Sequence, residues 1–144
     1  MTQRVLNSYD FARALSKRVK KWRMLTEKIT FELGLSLGEF GVLVNLLEAG
    51  PQLMVDLANN QAFTQAAITG IVDHLEELGL ARREPSKFDK RKIRASITEK
   101  GEEKVKVGMK LYRQFVERAT RRVSLHDMNL VLKVLDEMLA AANE

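Results

Sequence analysis

Basic side chains are concentrated in one short stretch of this chain, residues 82–94, which contains seven Lys or Arg residues and two acidic residues. Its net charge of +5 equals that of the whole 144-residue protein. Lys and Arg at this density make the charge-assisted phosphate contacts that dominate affinity for nucleic acids. A basic run can also be an ordinary solvated surface, but this one is short and local, which favours phosphate binding.

The segments that flank this stretch have the pattern of β-strands. Ile93, Ala95 and Ile97 fall on one face of an extended segment, the period-2 pattern of a half-buried strand. Residues 80–84 can pair with this segment, which leaves residues 85–92 as the connecting loop. The sequence therefore predicts a β-hairpin with a basic tip, which is the form of the wing in a winged-helix domain.

Sequence signals for helix starts and ends predict the helices that position this wing. Ser36 and Glu39 form a capping box, and the helix they begin ends at Gly50. After a short helix over about 53–60, Thr64 can cap a further helix that stops at Gly79. Its predicted buried stripe is Ile68, Val72, Leu75 and Leu78. Residues 36–101 are thus predicted to form a winged helix-turn-helix lobe.

Long helices are predicted on both sides of this lobe, over residues 6–33 and 102–142. One stripe of the first helix is predicted to contain Leu15, Val19, Trp22, Leu25 or Thr26, Ile29 and Leu33. In the last helix, which Ser124 can cap, apolar residues cover more than one face. A helix of that kind usually has a second partner. The predicted fold class is mainly α, with a small β-hairpin wing and N- and C-terminal dimerisation helices.

The run from Asp89 to Gly101 resembles the signature of the MarR family of transcription regulators. That signature is D-x-R followed by an apolar position, Thr, two free positions and Gly; it is matched here by Asp89, Arg91, Ile97, Thr98 and Gly101. The resemblance extends over nearly the whole chain. It implies a homodimer whose terminal helices interlock, an Arg91 side chain in the DNA minor groove, and an Asp89 that holds the wing loop in shape.

Candidate DNA contacts come from the helix that begins at Thr64 and from the wing. Gln65 is the candidate for an adenine contact, Ala66 and Thr69 for thymine methyl contacts, and Thr64 for a phosphate. This exposed face has no Lys or Arg, and family members more often have a basic residue near Gly70, so we expect A·T-biased operators and readout of DNA shape. At the wing, Lys90 accompanies Arg91 as a minor-groove candidate, and the expected phosphate contacts are Arg82, Arg83, Lys87, Lys92 and Arg94.

Family members often bind small aromatic or phenolic anions between the dimerisation helices and the DNA-binding lobe. The candidates here are Arg18 and Lys21 for the anionic group, with Trp22, Phe40 and Tyr112 as apolar walls. These aromatic residues lie on helical stripes, and such residues are more often plain core. The core interpretation is therefore favoured over the ligand site.

Several classes of function are disfavoured by what the sequence lacks. There is no cysteine, no zinc motif and no nucleophile–base constellation, so no catalytic residue, metal site or cofactor is predicted. The histidines, His74 and His126, have no matched ligand cluster. The N-terminus lacks the apolar core of a signal peptide, no apolar run approaches the length of a membrane span, and a cytoplasmic location is expected.

Three functions remain open at this point. The leading hypothesis is a homodimeric regulator that binds a pseudo-palindromic double-stranded DNA operator. The second is an architectural protein that coats DNA without operator choice, which the neutral recognition helix and concentrated basic wing support. The third is a metabolite-binding module whose DNA function has decayed, against which the intact wing argues.

Overall fold

The computed structural model describes residues 7–143, and Leu6, where the first helix was predicted to begin, lies outside them. These residues form mostly helix, with one small antiparallel sheet, as predicted. In chain order the elements are α1 (Ser8–Glu32), α2 (Leu37–Ala49), β1 (Gln52–Leu53), α3 (Met54–Asn60), α4 (Gln65–Glu77), β2 (Ala81–Pro85), β3 (Ile93–Ile97), α5 (Glu99–Thr120) and α6 (Leu125–Ala141).

The chain divides into two compact units between Lys110 and Leu111. The first unit contains α1 to α4, the sheet and the first half of α5; the second contains the rest of α5 and α6. All of the wing and all of α4 therefore belong to the first unit.

The core of the first unit forms around α2, which packs against α1, α4 and β3. The predicted stripe of α4 is confirmed, since Ile68, Val72 and Leu75 are fully buried and Leu78 packs against the core. For α2 the sequence predicts Phe40, Leu43, Val44 and Leu47 as the inward residues. Phe40 and Leu43 are buried, Val44 and Leu47 pack against the core, and Val42 and Leu46 are buried in addition. A helix with neighbours on several sides buries more than one stripe, and a single-stripe prediction misses the others.

The predicted hairpin is present. β2 and β3 pair antiparallel with Ala81 opposite Ile97 and Pro85 opposite Ile93. The sheet also has a third strand, because β1 pairs with the other edge of β3. This strand has two residues, too few for a periodic pattern, and the sequence prediction missed it.

The predicted helix starts are confirmed at three positions. The backbone amide of Glu39 donates to Ser36 Oγ at 3.1 Å, and that of Ser36 donates to Glu39 Oε2 at 2.8 Å, which completes the capping box. The hydroxyl oxygens of Thr64 and Ser124 accept from the amides of Ala67 and Asp127 in the same way. Each cap satisfies an amide that the first turn leaves without a helical partner.

The stripe predicted for α1 is buried only in part: Thr26, the alternative to Leu25, is buried, and Leu33 packs against the core. Val19, Trp22 and Leu25 are exposed in the chain, whereas Thr26 and Thr30 are buried. Their hydroxyl groups donate to carbonyl oxygens of the preceding turn, at 2.8 Å and 3.1 Å, so that burial leaves no hydroxyl unsatisfied. Val55 of α3, which the sequence allows to pack, is also exposed.

The last helix agrees with the prediction of unpartnered apolar surface. None of the α6 residues is buried, although the helix is rich in Leu, Val and Met. Among the large apolar side chains left exposed are Leu125, Leu130, Val131, Leu132, Val134, Met138 and Leu139.

Within residues 7–143, no single helix is both long and apolar enough to cross a membrane. α1 and α2 meet that length and composition test only as a pair, bent by 74° at the break between them, and α2 is a core helix of the first unit.

Candidate nucleic-acid interface

One side of α4 is free of protein contacts with the core. We call the residues Gln65, Ala66, Thr69 and Gly70 the recognition face; all four are exposed, and α4 packs through Ile68, Val72 and Leu75 on its other side. A Cβ atom added at Gly70 would meet nothing within 4 Å. The face is therefore open to solvent and supported by the core on the other side of the helix. An α-helix fits into the DNA major groove.

The end of α4 is joined to the wing, residues 81–97, by the Arg83 side chain. Its Nη1 atom pairs with Asp73 and, at 2.7 Å, with Glu76, while Nη2 donates to the Thr69 carbonyl oxygen at 3.1 Å. The Arg83 backbone amide also donates to Glu76 Oε1 at 2.6 Å. Charge-assisted bonds of this number fix the base of the wing relative to the recognition face.

This arrangement gives Arg83 a structural role beside the phosphate contact predicted for it. A guanidinium held by two carboxylates, with a side chain only 24% exposed, has little positive charge left to offer a phosphate. Arg94 is similar, since its Nη2 atom lies 2.9 Å from Glu84 Oε1 and its side chain is largely buried. Both residues contribute to the position of the wing, and their phosphate contacts stay predictions.

The wing loop, residues 86–92, is closed by its own hydrogen bonds. The Ser86 amide donates to the Lys92 carbonyl oxygen at 2.8 Å, and the Lys92 amide donates to that of Asp89 at 2.9 Å. Asp89 Oδ1 accepts from the Arg91 amide at 3.0 Å and from Arg91 Nε at 3.2 Å. These two bonds, the backbone one first, lower the pKa of the Asp89 carboxyl below its ordinary value, so Asp89 is a carboxylate that shapes the loop.

The remaining wing cations project into solvent. Arg91 is the most exposed of the paired cations, with 91% of its side chain accessible, so its contact with Asp89 leaves most of the guanidinium open. Arg82 donates from Nε to Ser96 Oγ at 3.2 Å and is otherwise exposed. The exposed set of wing cations is Arg82, Lys87, Lys90, Arg91 and Lys92.

The last part of the signature, Thr98 and Gly101, ties the wing to the C-terminal end of α4. Thr98 Oγ1 donates to the Gly79 carbonyl oxygen at 2.7 Å and accepts from the Gly101 amide at 3.1 Å. A Cβ atom at position 101 would overlap the Leu80 carbonyl oxygen and come within 2.8 Å of Ile97 Cγ1. Only glycine allows this close approach of α5 to the wing.

His74 takes part in a contact that sequence reasoning did not find. Its Nδ1 atom lies 2.5 Å from Glu39 Oε1, which joins α4 to the start of α2. This hydrogen bond, with the charge of Glu39, raises the pKa of His74. Within the described residues, no group of three or more His, Cys, Asp or Glu side chains could hold a metal ion.

The residues predicted to bind an effector belong to both compact units. Phe40 is 6% exposed and belongs to the core of the first unit, as the favoured alternative expected. On α1, Arg18 Nη1 donates to the Ala14 carbonyl oxygen at 3.0 Å and Lys21 is exposed. Trp22 is exposed on the same helix, and Tyr112 belongs to the second unit, with its ring centroid 6.5 Å from that of Phe115. The ligand site stays a prediction.

Two features of the interface were missed at the sequence level. The first is the Arg83 clamp, the set of bonds from Arg83 to Asp73, Glu76 and the Thr69 carbonyl oxygen. It could have been suspected because Asp73 and Glu76 lie one helical turn apart, just before the strand that carries Arg83. The other is Phe88, an aromatic side chain inside the basic loop that is 99% exposed. An apolar residue among four cations was the available signal for it.

This chain is similar to known proteins. A family model described as "MarR family" matches residues 35–93. The HTH-type transcriptional regulator YkoM of Bacillus subtilis (strain 168) is 34% identical over 102 residues, which cover 70% of this chain and 64% of YkoM, less than two thirds of its length.

Solved structures match over more of the chain. The transcriptional regulator BldR of Sulfolobus solfataricus is 28% identical with a TM-score of 0.80, and the match covers 97% of this chain and 99% of BldR. A mutant MarR from E. coli complexed with operator DNA is 20% identical with a TM-score of 0.81, covering 89% and 92% of the two chains. The second likeness concerns the fold alone.

Proposed function

We propose that the chain is a MarR-family transcription regulator, a homodimer that binds specific DNA sites; the match of that family's model to residues 35–93 and the geometry of α4 and the wing support this proposal. The recognition face enters the major groove, and the exposed wing cations reach the adjacent minor groove. MarR-family proteins are transcription regulators and not enzymes, so the proposal contains no catalytic step.

What supports this function most directly is the rigid connection between the recognition face and the wing. Arg83 binds the Thr69 carbonyl oxygen within the recognition face and the carboxylates of Asp73 and Glu76 just beyond it. A reader of two adjacent grooves must hold its two contact elements at a fixed spacing. The charge of Arg83 also partly screens Asp73, so this carboxylate repels the phosphate backbone less than a free carboxylate would.

Base readout on the recognition face is proposed to be modest. Gln65 is suited to adenine N6 and N7, and Ala66 and Thr69 are suited to thymine methyl groups. Thr64 Oγ1 caps α4, so it reaches a phosphate only through the hydroxyl hydrogen that this cap leaves free. Specificity then rests partly on narrow, A·T-rich minor grooves under the wings.

In a homodimer, the second copy supplies a second recognition face and a second wing. A two-fold dimer places equivalent recognition helices in successive major grooves, about 34 Å apart, on a pseudo-palindrome with half-sites roughly 10 base pairs apart. We propose that α1 and the C-terminal helices form the dimer, because their apolar residues are exposed in the single chain. The cytoplasmic location and a small aromatic or phenolic effector stay predictions.

The second candidate function is a protein that coats DNA without operator choice. One observation favours it: the recognition face has no cation, while the wing loop and its flanks hold five exposed ones. Such a protein gains its affinity from phosphate contacts alone and shows little preference between sequences.

Footprinting and competition titration separate the two candidates. Duplex from the region upstream of the protein's own coding sequence is compared with random duplex of equal length at near-physiological salt. A regulator should prefer its operator by roughly a thousandfold or more and protect about 20 base pairs with two-fold symmetry.

Variants of the two contact elements sharpen the same experiment. Gln65→Ala should relax base preference at one position per half-site. Lys87→Ala should weaken binding to all duplexes alike and should reduce the salt slope, the slope of the logarithm of the binding constant against the logarithm of the salt concentration, by about 1. Continuous protection that only tracks protein concentration would favour the coating function. No binding to any duplex would refute both.

A further inference from the structure

Phe88 occupies an unusual position for a large apolar side chain. It lies at the tip of the wing loop and is 99% exposed, more than any other large apolar residue among those described. Single exposed apolar residues are common on protein surfaces and need no explanation by themselves. The surroundings of this one are what distinguish it.

The loop holds Phe88 outward. Its backbone amide donates to Ser86 Oγ at 3.2 Å, and the loop on either side is closed by the Ser86–Lys92 and Lys92–Asp89 backbone bonds. The pair of Asp89 with Arg91 fixes the following residues. The backbone at Phe88 is therefore held in place, and the ring is left in solvent.

The ring is surrounded in sequence by positive charge. Lys87, Lys90, Arg91 and Lys92 are all exposed within four residues of it. An apolar tip inside a ring of cations complements a cleft with anionic rims and an apolar floor. The DNA minor groove has this character, with phosphates along both edges and base edges and sugars below.

From these observations, and on the premise of the proposed DNA-binding function, we infer that Phe88 is a wedge that enters the minor groove of bound DNA and partly unstacks one base step. The neighbouring cations hold the phosphates on either side while the ring enters. Architectural proteins insert Phe, Leu, Ile, Met or Pro in this manner and kink the duplex. Pyrimidine–purine steps, which unstack most readily, should be preferred under the wing tip.

This wedge adds a source of specificity that the neutral recognition face does not supply. The energy needed to open a base step depends on the step, so the duplex sequence is selected without a hydrogen bond to any base. The contact carries no charge, so its loss should leave the salt dependence of binding unchanged.

The test uses the full chain and a duplex selected by it from a random-sequence pool. 2-Aminopurine is placed in turn at each pyrimidine–purine step, and its fluorescence is followed to saturation with protein. The wild-type chain should raise the fluorescence at one step per half-site. Phe88→Ala should abolish that rise and weaken binding by about tenfold, within the range measured for removal of an aromatic–base contact.

Two matched variants separate the wedge from the charges beside it. Phe88→Leu retains an apolar wedge and should keep most of the fluorescence rise. Lys90→Ala should weaken binding and reduce the salt slope but leave the rise at saturation intact. Thermal melts of all variants should coincide with that of the wild type, because both side chains are exposed.

The outcomes distinguish this inference from the proposed function. Tight binding by the wild type with no fluorescence change at any step, or equal affinity and fluorescence for Phe88→Ala, refutes the wedge and leaves the DNA-binding function standing. Absence of DNA binding by the wild type refutes the function itself. Phe88-dependent binding to vesicles of phosphatidylcholine and phosphatidylglycerol, without a response on DNA, would show that the tip serves a membrane surface and would overturn the inference.

Discussion

At the scale of single residues, Arg91 and Asp89 have different roles in the wing. Asp89 is held as a carboxylate by the Arg91 amide and guanidinium, and its negative charge is partly shielded by that contact. Most of the Arg91 side chain is nevertheless exposed, and a guanidinium can contact a second acceptor through its free N–H groups. One residue thus both closes the loop and remains available for DNA.

Arg91→Ala should therefore weaken operator binding by about 1–3 kcal/mol, the range for a good base contact. The double change Lys90→Ala, Arg91→Ala should weaken it further. Mobility-shift titration at near-physiological salt measures both. The control is Lys133→Ala, which removes one exposed cation of α6 far along the chain from the wing. Unchanged affinity of the double variant would mean that the wing does not reach the groove.

The His74–Glu39 contact leads to a prediction about pH. Burial raises the pKa of Glu39, but the hydrogen bonds from Ser36 and His74 outweigh it and the net shift is downward from 4.5. The pKa of His74 is raised from 6.5 by the hydrogen bond and charge of Glu39. The pair therefore stabilises the fold fully between these two ordinary values, and its contribution is lost as pH rises through the raised pKa of His74.

Thermal unfolding of the wild type and His74→Gln at several pH values measures this contribution. The melting temperature of the wild type should exceed that of the variant most between pH 4.5 and 6.5, and the difference should shrink toward pH 8. His74 is half exposed, so salt should reduce the difference. A difference that is constant over the whole pH range would contradict the pairing.

At the scale of elements, the junction between α4, the wing and α5 depends on one glycine. Gly101 lies against the Leu80 carbonyl oxygen, while Thr98 bonds the Gly79 carbonyl oxygen and caps the start of α5. Two lysines of α5 strengthen the same region: Lys100 Nζ donates to the Leu78 carbonyl oxygen at 2.8 Å, and Lys104 Nζ donates to that of Leu33 at 2.7 Å. α5 therefore satisfies the ends of two other helices.

Gly101→Ala should destabilise the fold by about 1–3 kcal/mol, the usual cost of overpacking, because backbone atoms must move to admit the Cβ. Gly70→Ala is the matched control. Position 70 is open and helical, so that change should be neutral or stabilise by up to about 1 kcal/mol. Urea unfolding compares the two variants. Equal stabilities for both would show that the close approach at position 101 carries no energetic weight.

The elements differ in how far the sequence could predict them. Caps at Ser36, Thr64 and Ser124 and the α4 stripe follow from local rules, and all were predicted correctly. The α1 stripe was predicted only in part: Thr26 is buried and Leu33 packs against the core, but Val19 and Trp22 are exposed. Thr30 is buried with its hydroxyl bonded within the helix, and a polar residue of that kind gives no apolar signal. The Arg83 clamp is a tertiary contact between elements, which no local pattern contains.

At the scale of the whole molecule, charge is strongly segregated. Residues 29–81, which include α2, α3 and α4, carry seven acidic groups and no Lys or Arg. The positive charge lies before them, on α1, and after them, at the wing. The surface proposed to face DNA is thus cationic at the wing and neutral at the recognition face, so affinity should fall steeply with salt while base discrimination changes less.

The proposed dimer provides the final prediction. α6 has a wide apolar arc with no buried residue, and Leu132 and Leu139 lie two turns apart near the edge of that arc. If a second copy covers them, two carboxylates placed there must be buried without partners, which costs far more than a dimer contact gains. The double variant Leu132→Glu, Leu139→Glu should therefore sediment as a monomer and lose two-fold protection of its operator.

The double variant His126→Glu, Asn129→Glu adds the same two charges on the polar side of α6 and should remain a dimer. Sedimentation equilibrium decides the matter, with circular dichroism to show that both variants keep their helices: a Leu132, Leu139 variant that stays dimeric would exclude α6 from the interface.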